Sequence, residues 1–392
     1  MKVLVVGSGG REHALVWAIS RSPGIELHAA PGNPGIAALA QCHPARAEDP
    51  ASIVPLAAEL DVDLVVVGPE APLVIGLADA LRRRGIPVFG PSAAAARIEG
   101  SKAFAKEVIE AAGVATARTL AVARPPCVVK ADGLAAGKGV WVCRDQASLD
   151  VGLRAAQALG QPFHVEELLE GPELSVFAIA SGEMAIALPG ARDYKRIGDG
   201  DIGPNTGGMG SFSPVAGAPD ADEIVETIHR PVLRELARRG TPFSGLLYGG
   251  LMLTERGPHV IEFNCRFGDP ETQSILPRLG DGLLEALAAT AAGELAGVAL
   301  PTNGLAAVTV VIASGDYPER SDSGTPIDVE ATEALVFHAG TALQDGRLVT
   351  NGGRILNVVG TGPSIADARS AAYESVAHID FAGMRFRRDI GG

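Results

Sequence analysis

The sequence has few cysteines, fewer basic than acidic residues and no long apolar run. Its four cysteines, Cys42, Cys127, Cys143 and Cys265, are scattered and form no C-x-x-C pair. This spacing indicates neither a disulfide framework nor a zinc knuckle, and it favours a reducing, cytoplasmic location. No run approaches the roughly 18 apolar residues of a membrane span, and the apolar stretch in MKVLVVGSGGREH is too short for a signal peptide.

Acidic residues outnumber basic ones, 46 to 33, which gives a formal net charge of −13. This charge argues against nucleic acid or an anionic membrane as a partner, so a phosphate site requires a local basic patch. A content of 47% hydrophobic and 20% charged residues fits a globular protein with a large core. At roughly 100–200 residues per domain, a chain of 392 residues is expected to hold two to four domains.

The first hundred residues alternate between strand and helix patterns. The segments are KVLVVG, EHALVWAIS, DLVVVGPE, GLADALRRRG and IPVFGPS. Apolar β-branched runs separated by amphipathic helices predict a parallel, doubly wound sheet. Ligands gather beyond the carboxyl ends of such strands, which is where the loops GSGG, GPEAP and GPS fall.

The first of these loops matches the dinucleotide fingerprint G-x-G-x-x-G only in part. Glu12 stands at the position of the last glycine, which disfavours NAD. A helix N-terminus carrying Gly10 and Arg11 can still hold a single phosphate. The alternative is a tight turn with a surface arginine.

A second glycine-rich loop lies in VVKADGLAAGKGV, residues 128–140. It is not a P-loop, because only three residues separate Gly133 from Gly137 and because Gly139 follows Lys138 where a hydroxyl is needed. Its flanks, CVVKA and GVWVCR, are typical of strands. We therefore expect a strand–loop–strand lid over phosphate, with an ordinary hairpin turn as the alternative.

Two neighbouring segments carry charges that a ligand could use. The stretch SAAAARIEGSKAFAKEVIEAAG predicts one helix that ends at Gly113, with Lys102 and Lys106 on one face. The stretch FHVEELLEGPELSVFAIA places Glu166 and Glu167 at the end of a strand. Solvated side chains are the alternative for both acidic residues.

Residues 191–214, ARDYKRIGDGDIGPNTGGMGSFSP, are too polar and glycine-rich for a core. Asp193, Lys195 and Arg196 supply both signs of charge, and the NTGGMG run supplies backbone amides. We expect an unstructured functional loop, with a disordered loop as the alternative.

The segment HVIEFNCRFGDPET, residues 259–272, contains the most specific pattern. If VIEFNCR is a strand, Glu262, Asn264 and Arg266 lie on one face. Two oxygen ligands suit Mg²⁺, and a guanidinium suits the charge of a transferring phosphoryl group. The alternative is a structural salt bridge between Glu262 and Arg266.

Taken together, these motifs resemble the phosphoribosylamine–glycine ligase, or glycinamide ribonucleotide synthetase, family of the ATP-grasp superfamily. The resemblance covers nearly the whole chain in order and rests on MKVLVVGSGGREHAL, VGPEAPLV, EGSKAFAK, VVKADGLAAGKGV, EELLEGPELS, GPNTGGMG, VIEFNCRFGDPETQ and FHAGT…VTNGGRIL.

The resemblance implies that ATP phosphorylates the carboxylate of glycine and that the amine of 5-phosphoribosylamine attacks the resulting glycyl phosphate. It implies Mg²⁺, with Mn²⁺ as an alternative ion, at Glu262 and Asn264, and catalytic contacts from Arg266 and Lys130. Implied nucleotide contacts are Lys102, Lys130, Gly137, Lys138, Gly139, Glu166, Glu167, Leu169 and Glu173. Implied substrate contacts are Gly10, Arg11, Glu70, Asp193, Lys195, Asn205, Thr206, Gly207, Gly208, Met209, Gly210, Asp269 and Glu271.

The chain also departs from the family pattern. It lacks a helix between Gly113 and Val128, and the stretch from Trp141 to Val165 is short, so a smaller lid is expected. The strand LLYGGLMLT carries no acidic metal ligand, which leaves the ligands of a second magnesium unassigned.

The sequence thus predicts an α/β protein with an ATP-grasp core, an N-terminal doubly wound domain, a small inserted lid and a C-terminal mixed α+β domain. The expected divisions are 1–98 for the N-terminal domain, 99–117 and 181–315 for the core, 118–180 for the lid and 316–392 for the C-terminal domain. We expect a monomer. The alternatives are an ATP-grasp enzyme acting on another ribotide and a nucleotide-binding regulator with a decayed active site.

Overall fold

The N-terminal part of the chain forms the predicted parallel sheet. The computed structural model describes residues 1–133 and 139–392. The strands are β1 (Lys2–Gly7), β2 (Glu26–Pro31), β3 (Gln41–Cys42), β4 (Leu64–Val67) and β5 (Val88–Phe89), in the order β3-β2-β1-β4-β5. The helices are α1 (Gly10–Ser20), α2 (Pro50–Glu59), α3 (Glu70–Val74) and α4 (Leu77–Arg82), with a 3₁₀ turn at Ile36–Ala38. All strand pairs are parallel, and β1 is buried on both faces, as its continuous apolar run predicts.

Two helices lead out of this sheet, where the sequence predicted one. They are α5 (Ala93–Gly100) and α6 (Lys102–Ala111). Ser101 between them is extended, with φ −143° and ψ 114°, and its hydroxyl accepts a hydrogen bond from the Phe104 N–H. The prediction of a single helix was wrong because Ser101 caps a new helix instead of continuing the old one. Asp132 reinforces this start by accepting a bond from the Lys102 N–H at 2.6 Å.

The predicted lid is a small antiparallel sheet with one helix. Its members are β6 (Cys127–Ala131), β7 (Val140–Cys143), α7 (Gln146–Ala158) and β8 (Phe163–Glu167), with sheet order β7-β6-β8. We call these three strands the lid sheet. The strands on both sides of the glycine loop are confirmed, and no helix lies between Gly113 and Cys127, as expected. The loop residues Gly137 and Lys138 lie outside the described residues.

An eight-stranded sheet joins the middle of the chain to its end. Its order is β15-β14-β9-β10-β13-β16-β22-β19. The remaining strands are β9 (Glu173–Ser181), β10 (Met184–Asp193), β11 (Arg196–Gly198), β12 (Ile202–Asn205), β13 (Gly210–Ser213), β14 (Ser244–Thr254), β15 (Gly257–Asn264), β16 (Ala306–Ala313), β17 (Asp322–Pro326), β18 (Asp328–Val329), β19 (Leu335–His338), β20 (Thr341–Gln344), β21 (Arg347–Gly352), β22 (Arg354–Gly362) and β23 (Ile379–Asp380). The remaining helices are α8 (Ala221–Ile224), α9 (Arg230–Arg238), α10 (Glu271–Ile275), α11 (Leu283–Ala292) and α12 (Ile365–Val376), with a π turn at Val225–His229 and a 3₁₀ turn at Leu276–Arg278.

The sheet membership refines the proposed domain divisions. Strand β9, which the sequence placed in the lid, pairs with β10 and β14 of the eight-stranded sheet. We therefore propose that the lid ends near residue 170. No helix among the described residues is long and apolar enough to cross a membrane.

The glycine-rich segment 191–214 is not an unstructured loop. It contains the end of β10, the hairpin β11–β12 and strand β13, which pairs with β16. Gly208 in this segment has φ +110°, and an added Cβ would meet the ring of Pro270. The prediction of an unstructured loop was wrong because the glycines of this segment allow close packing of the backbone and do not indicate disorder.

This packing predicts a stability difference between two glycines. Gly208 and Gly217 both have positive φ, but an added Cβ at Gly217 meets nothing within 4 Å. Gly208→Ala should therefore lower the free energy of unfolding by about 1–3 kcal/mol more than Gly217→Ala, because only the first overpacks. Urea unfolding of both variants measures the difference, and equal losses would contradict the packing account.

Candidate active site

A cavity of about 910 Å³ opens between the lid sheet, the eight-stranded sheet and the N-terminal sheet. Most of the predicted site residues line it. They are Arg11, Glu70, Lys102, Lys130, Gly139, Glu166, Glu167, Leu169, Glu173, Asp193, Lys195, Asn205, Thr206, Gly207, Glu262, Asn264, Arg266, Asp269 and Glu271. The fold thus brings together segments that lie up to about 260 residues apart in the chain.

Four predicted substrate contacts do not line this cavity. Gly10 packs against the side-chain amides of Gln273 and Asn357. The side chain of Met209 is fully buried in a small core cluster. Gly208 and Gly210 pack against Pro270 and against the carbonyl of Thr309. Their role is to let the backbone pass close to its neighbours.

Strand β15 presents its polar face to the cavity, as the alternation predicted. Glu262 and Asn264 lie two residues apart and both line the cavity. In the neighbouring strand Gly250 pairs with Glu262, and Tyr248 pairs with Asn264. Burial opposes ionisation of Glu262, but the positive charges of lysines around it outweigh burial and lower its pKa. An ionised carboxylate beside an amide oxygen fits a hard cation such as Mg²⁺, whose remaining ligands are usually water and phosphate.

The described residues contain no cluster of three or more His, Cys, Asp and Glu side chains with metal-binding geometry. This agrees with the absence of an acidic residue from LLYGGLMLT. A cation at Glu262 and Asn264 would therefore depend on the ligand's own oxygens.

Arg266 does not pair with Glu262. Its Nε lies 3.2 Å from Glu70 Oε2, and its Nη2 lies 3.2 Å from Glu99 Oε1. Burial works against the charged guanidinium, but the two glutamates outweigh it and raise the pKa of Arg266. The structural salt bridge considered from the sequence is thus absent from the described ion pairs of Arg266, whose partners come from the N-terminal segments.

Lys130 and Lys106 share one buried carboxylate. Glu166 Oε2 lies 2.6 Å from Lys130 Nζ, and Oε1 lies 3.1 Å from Lys106 Nζ. Burial raises the pKa of Glu166, but bonds from His164 and the two lysines outweigh it and lower the pKa to about 2. Lys130 Nζ also donates to the Ile261 carbonyl at 3.0 Å. Glu166 is therefore an ion-pairing residue and not a solvated one.

Lys102 begins helix α6 and faces the same cavity. Its Nζ donates to the Gly133 carbonyl at 3.1 Å, next to the predicted lid loop. Burial lowers the pKa of Lys102, and nearby carboxylates oppose this change. From the sequence, the face shared by Lys102 and Lys106 could point to solvent or to a ligand; in the structure both residues line the cavity.

A second group of charges lies at the end of strands β9 and β10. Lys195 Nζ lies 2.7 Å from Glu173 Oε2. Burial and neighbouring carboxylates raise the pKa of Asp193, which Lys195 opposes. Nearby, the Tyr248 hydroxyl donates to Ser175 Oγ at 3.0 Å, and Ser175 donates to Glu271 Oε1 at 3.1 Å.

The residues of the first glycine loop, 7–12, contact one another. The Gly9 N–H donates to Glu12 Oε2 at 2.6 Å, and Glu12 Oε1 lies 2.5 Å from Arg11 Nε. The Glu12 carboxylate thus occupies both the Gly9 N–H and the Arg11 side chain of this loop. Arg11 is 8% exposed, so the alternative of a surface arginine is wrong.

Three residues that the sequence did not single out hold this site together. Glu99 forms an ion pair with Arg266 and accepts a hydrogen bond from the Cys265 N–H. Arg354 donates to the carbonyls of Gly207 and Asp269, and Tyr317 accepts from the Gly207 N–H at 2.8 Å. Signals were present for Glu99 in the motif EGSKAFAK and for Arg354 in the motif NGGRIL, but Tyr317 had none.

The cavity thus combines lysines beneath a lid sheet, an oxygen ligand pair and a guanidinium, which defines an ATP-grasp type of ligase site. Comparison with known proteins agrees. The chain belongs to the phosphoribosylglycinamide synthetase family: the N domain of that family matches residues 1–99, the ATP-grasp (A) domain residues 100–272 and the C domain residues 307–392. The family resemblance predicted from the sequence, the fold and the enzyme class are therefore confirmed.

Relatives of known identity cover the whole chain. A phosphoribosylamine–glycine ligase of Streptomyces coelicolor is 50% identical over 413 aligned positions, which cover 100% of this chain and 98% of the relative. One of Corynebacterium ammoniagenes is 48% identical and covers 100% and 97%. The crystal structure of a phosphoribosylamine–glycine ligase from Thermotoga maritima, 36% identical, has a TM-score of 0.87 over 99% of this chain and 100% of that one.

More distant structures share the fold alone. The biotin carboxylase domain of a Hydrogenobacter thermophilus 2-oxoglutarate carboxylase, solved with MgADP, is 19% identical and has a TM-score of 0.73, with coverage of 98% of this chain and 91% of that one. The fold is thus shared with enzymes of other substrates, which is why the site residues carry the assignment of function.

The Glu166 ion pairs predict a pH dependence of stability. A carboxyl with a lowered folded-state pKa stabilises the protein above its unfolded value near 4.5 and loses that contribution as the pH falls towards 2. Between pH 5 and pH 3 the free energy of unfolding should therefore fall less in Glu166→Gln than in the wild type. The control is Glu183→Gln, in the exposed turn between β9 and β10. Urea unfolding at both pH values measures this, and equal falls in wild type and Glu166→Gln would contradict the assignment.

Proposed function

We propose that this chain joins glycine to 5-phosphoribosylamine with conversion of ATP to ADP and phosphate, which forms glycinamide ribonucleotide for purine biosynthesis. The observation that carries the proposal is the alignment of Glu262, Asn264 and Arg266 along one wall of a cavity that also holds Lys102 and Lys130. A carboxylate resists attack by an amine, so a ligase needs this combination of nucleotide-binding and phosphoryl-transfer groups to activate it.

On the nucleotide side, Lys102 and Lys130, which line the cavity, bind the phosphates of ATP. The segment 166–169, at the end of strand β8, lines the cavity and is proposed to contact adenine, with Glu173 at the ribose hydroxyls. In the structure Glu173 pairs with Lys195. Binding of ribose therefore competes with this ion pair and would release Lys195 towards the acyl-acceptor side of the cavity.

On the transfer side, Glu262 and Asn264 would hold Mg²⁺, with Mn²⁺ as a possible replacement, and the ion would neutralise phosphate charge. Arg266 donates N–H groups to the oxygens of the transferring phosphoryl group, whose charge spreads during transfer. Its pairing with Glu70 and Glu99 fixes its position before the ligand arrives.

On the acceptor side, the loop Asn205–Gly207 and the segment Asp269–Glu271 face each other. Arg354 ties them, since it donates to the Gly207 carbonyl at 2.6 Å and lies 3.3 Å from Asp269 Oδ2. Asp193, Lys195 and Glu271 supply the charges that orient an amine and a carboxylate. We propose that glycine and the ribotide bind here, in a cytoplasmic, monomeric enzyme.

The magnesium assignment is tested with Glu262→Ala. Loss of one of two protein ligands should raise the magnesium concentration for half-maximal activity by at least about tenfold, and excess magnesium should recover part of the activity. The control is Glu255→Ala, in the exposed β14–β15 turn. A magnesium profile for Glu262→Ala that matches the wild type would remove Glu262 from the metal site.

The reaction itself is tested with glycine labelled with heavy oxygen in its carboxylate. If glycyl phosphate forms, one carboxylate oxygen becomes the bridge to the γ-phosphoryl group and leaves with phosphate when the amine attacks. Mass spectrometry should therefore find label in phosphate during turnover. Unlabelled phosphate beside full amide formation would exclude the acyl phosphate route, and unlabelled phosphate without amide would exclude the proposed function.

A further inference from the structure

A buried carboxylate on helix α5 forms an ion pair with Arg266, the proposed phosphoryl-transfer arginine. Glu99 lies in the last turn of α5, and its side chain is 7% exposed. Its Oε2 accepts the Cys265 N–H at 2.8 Å, and its Oε1 lies 3.2 Å from Arg266 Nη2. One carboxylate therefore holds the backbone of one residue and the side chain of the next, directly after strand β15.

The remaining contacts of Arg266 also restrict the orientation of its guanidinium. Arg266 Nε faces Glu70, and Nη1 donates to the Phe267 carbonyl at 3.1 Å. A guanidinium has five N–H donors in a rigid plane; Nε and Nη1 of Arg266 donate hydrogen bonds to the protein, and Nη2 lies in an ion pair with Glu99. The donors left for a ligand therefore point in a direction that the Glu70 and Glu99 contacts fix.

The position of Glu99 in the chain links this arginine to the nucleotide site. Ser101 breaks the helix two residues after Glu99, and Lys102 then begins α6. Glu99 contacts Cys265 and Arg266 directly after β15, and Lys102 follows only three residues later at the start of α6. The short segment 99–102 therefore helps to set the distance between Arg266 and Lys102. Small errors in such distances are costly in phosphoryl transfer, where catalysis is mostly positioning.

We propose that Glu99 is a positioning residue for phosphoryl transfer, which acts by fixing Arg266 against the end of β15. This inference rests on the proposed function of Arg266. Glu70 also contacts Arg266, but at Nε and from α3, whereas Glu99 also accepts the backbone N–H of Cys265, directly after β15.

The test is a double-mutant cycle of Glu99→Gln and Arg266→Ala. Glu99→Gln keeps the shape of the side chain but removes its charge, and it should lower kcat by about 10- to 100-fold with a KM for ATP within about twofold of the wild type. In the Arg266→Ala background the same change should lower kcat no further, since its effect passes through Arg266. Glu99→Asp keeps the charge and should recover part of kcat.

A matched control separates positioning from stability. Glu235 is another glutamate with a 7% exposed side chain and two arginine partners, Arg238 and Arg239, on helix α9 outside the cavity. Glu235→Gln should lower the midpoint of thermal unfolding and leave kcat unchanged. If Glu99→Gln does not yield folded protein, the cycle is run with Glu99→Asp.

The outcomes distinguish the two proposals. A wild-type kcat in Arg266→Ala would overturn the proposed role of Arg266. A large loss in Arg266→Ala with a wild-type kcat in Glu99→Gln would overturn the positioning role alone. Additive losses of kcat in the double variant would also overturn it, because Glu99 would then act independently of Arg266.

Discussion

The structure depends on the need to compensate a buried guanidinium. Arg266 lies in a cavity wall, and a buried charge without partners costs several kcal/mol. Glu70 and Glu99 meet this need, and both come from the N-terminal segments, whereas Arg266 follows strand β15 of the eight-stranded sheet. The pairing therefore joins two sheets that are far apart in the chain, and it makes the wall that carries Glu262 and Asn264 continuous with the first domain.

The same principle recurs around the cavity. Glu166 compensates two lysines, Glu173 compensates Lys195, and Asp269 compensates Arg354. A protein with a net charge of −13 can bind a polyanion only where its cations are concentrated, and here each concentration is held by a carboxylate. Phosphate oxygens can pair with the same cations, and we propose that ligand binding exchanges some of these ion pairs for others.

Sequence reasoning succeeded where the relevant pattern was local. The two-residue alternation in VIEFNC predicted the polar face of β15, and the apolar runs around residues 128–140 predicted the strands of the lid sheet. It failed where distant segments decide the outcome. Ser101 looked helical because its neighbours favour helix, and the Asp132 carboxylate that bonds the new helix start lies 30 residues away. Met209 looked like a loop residue because the strand that buries it, β16, begins about 100 residues later.

Glu99 shows the same limit within the site itself. In the sequence Glu99 begins the motif EGSKAFAK, but nothing in that motif suggests its role, which comes only from its contacts with Cys265 and Arg266, more than 160 residues away. Tyr317, whose hydroxyl accepts the Gly207 N–H, is an equivalent case from the C-terminal part of the chain. The roles of such residues follow from their contacts in the folded chain, and contacts between distant residues cannot be predicted from the spacing of residues in the sequence.

The most direct test of the account is the stoichiometry of turnover by the purified protein. With MgATP, glycine and 5-phosphoribosylamine all present, we expect ADP, phosphate and glycinamide ribonucleotide in equal amounts, and no amide when either glycine or the ribotide is omitted. Phosphate release at the same rate without glycine, or without formation of the amide, would contradict the assignment of this cavity to glycine activation and ligation.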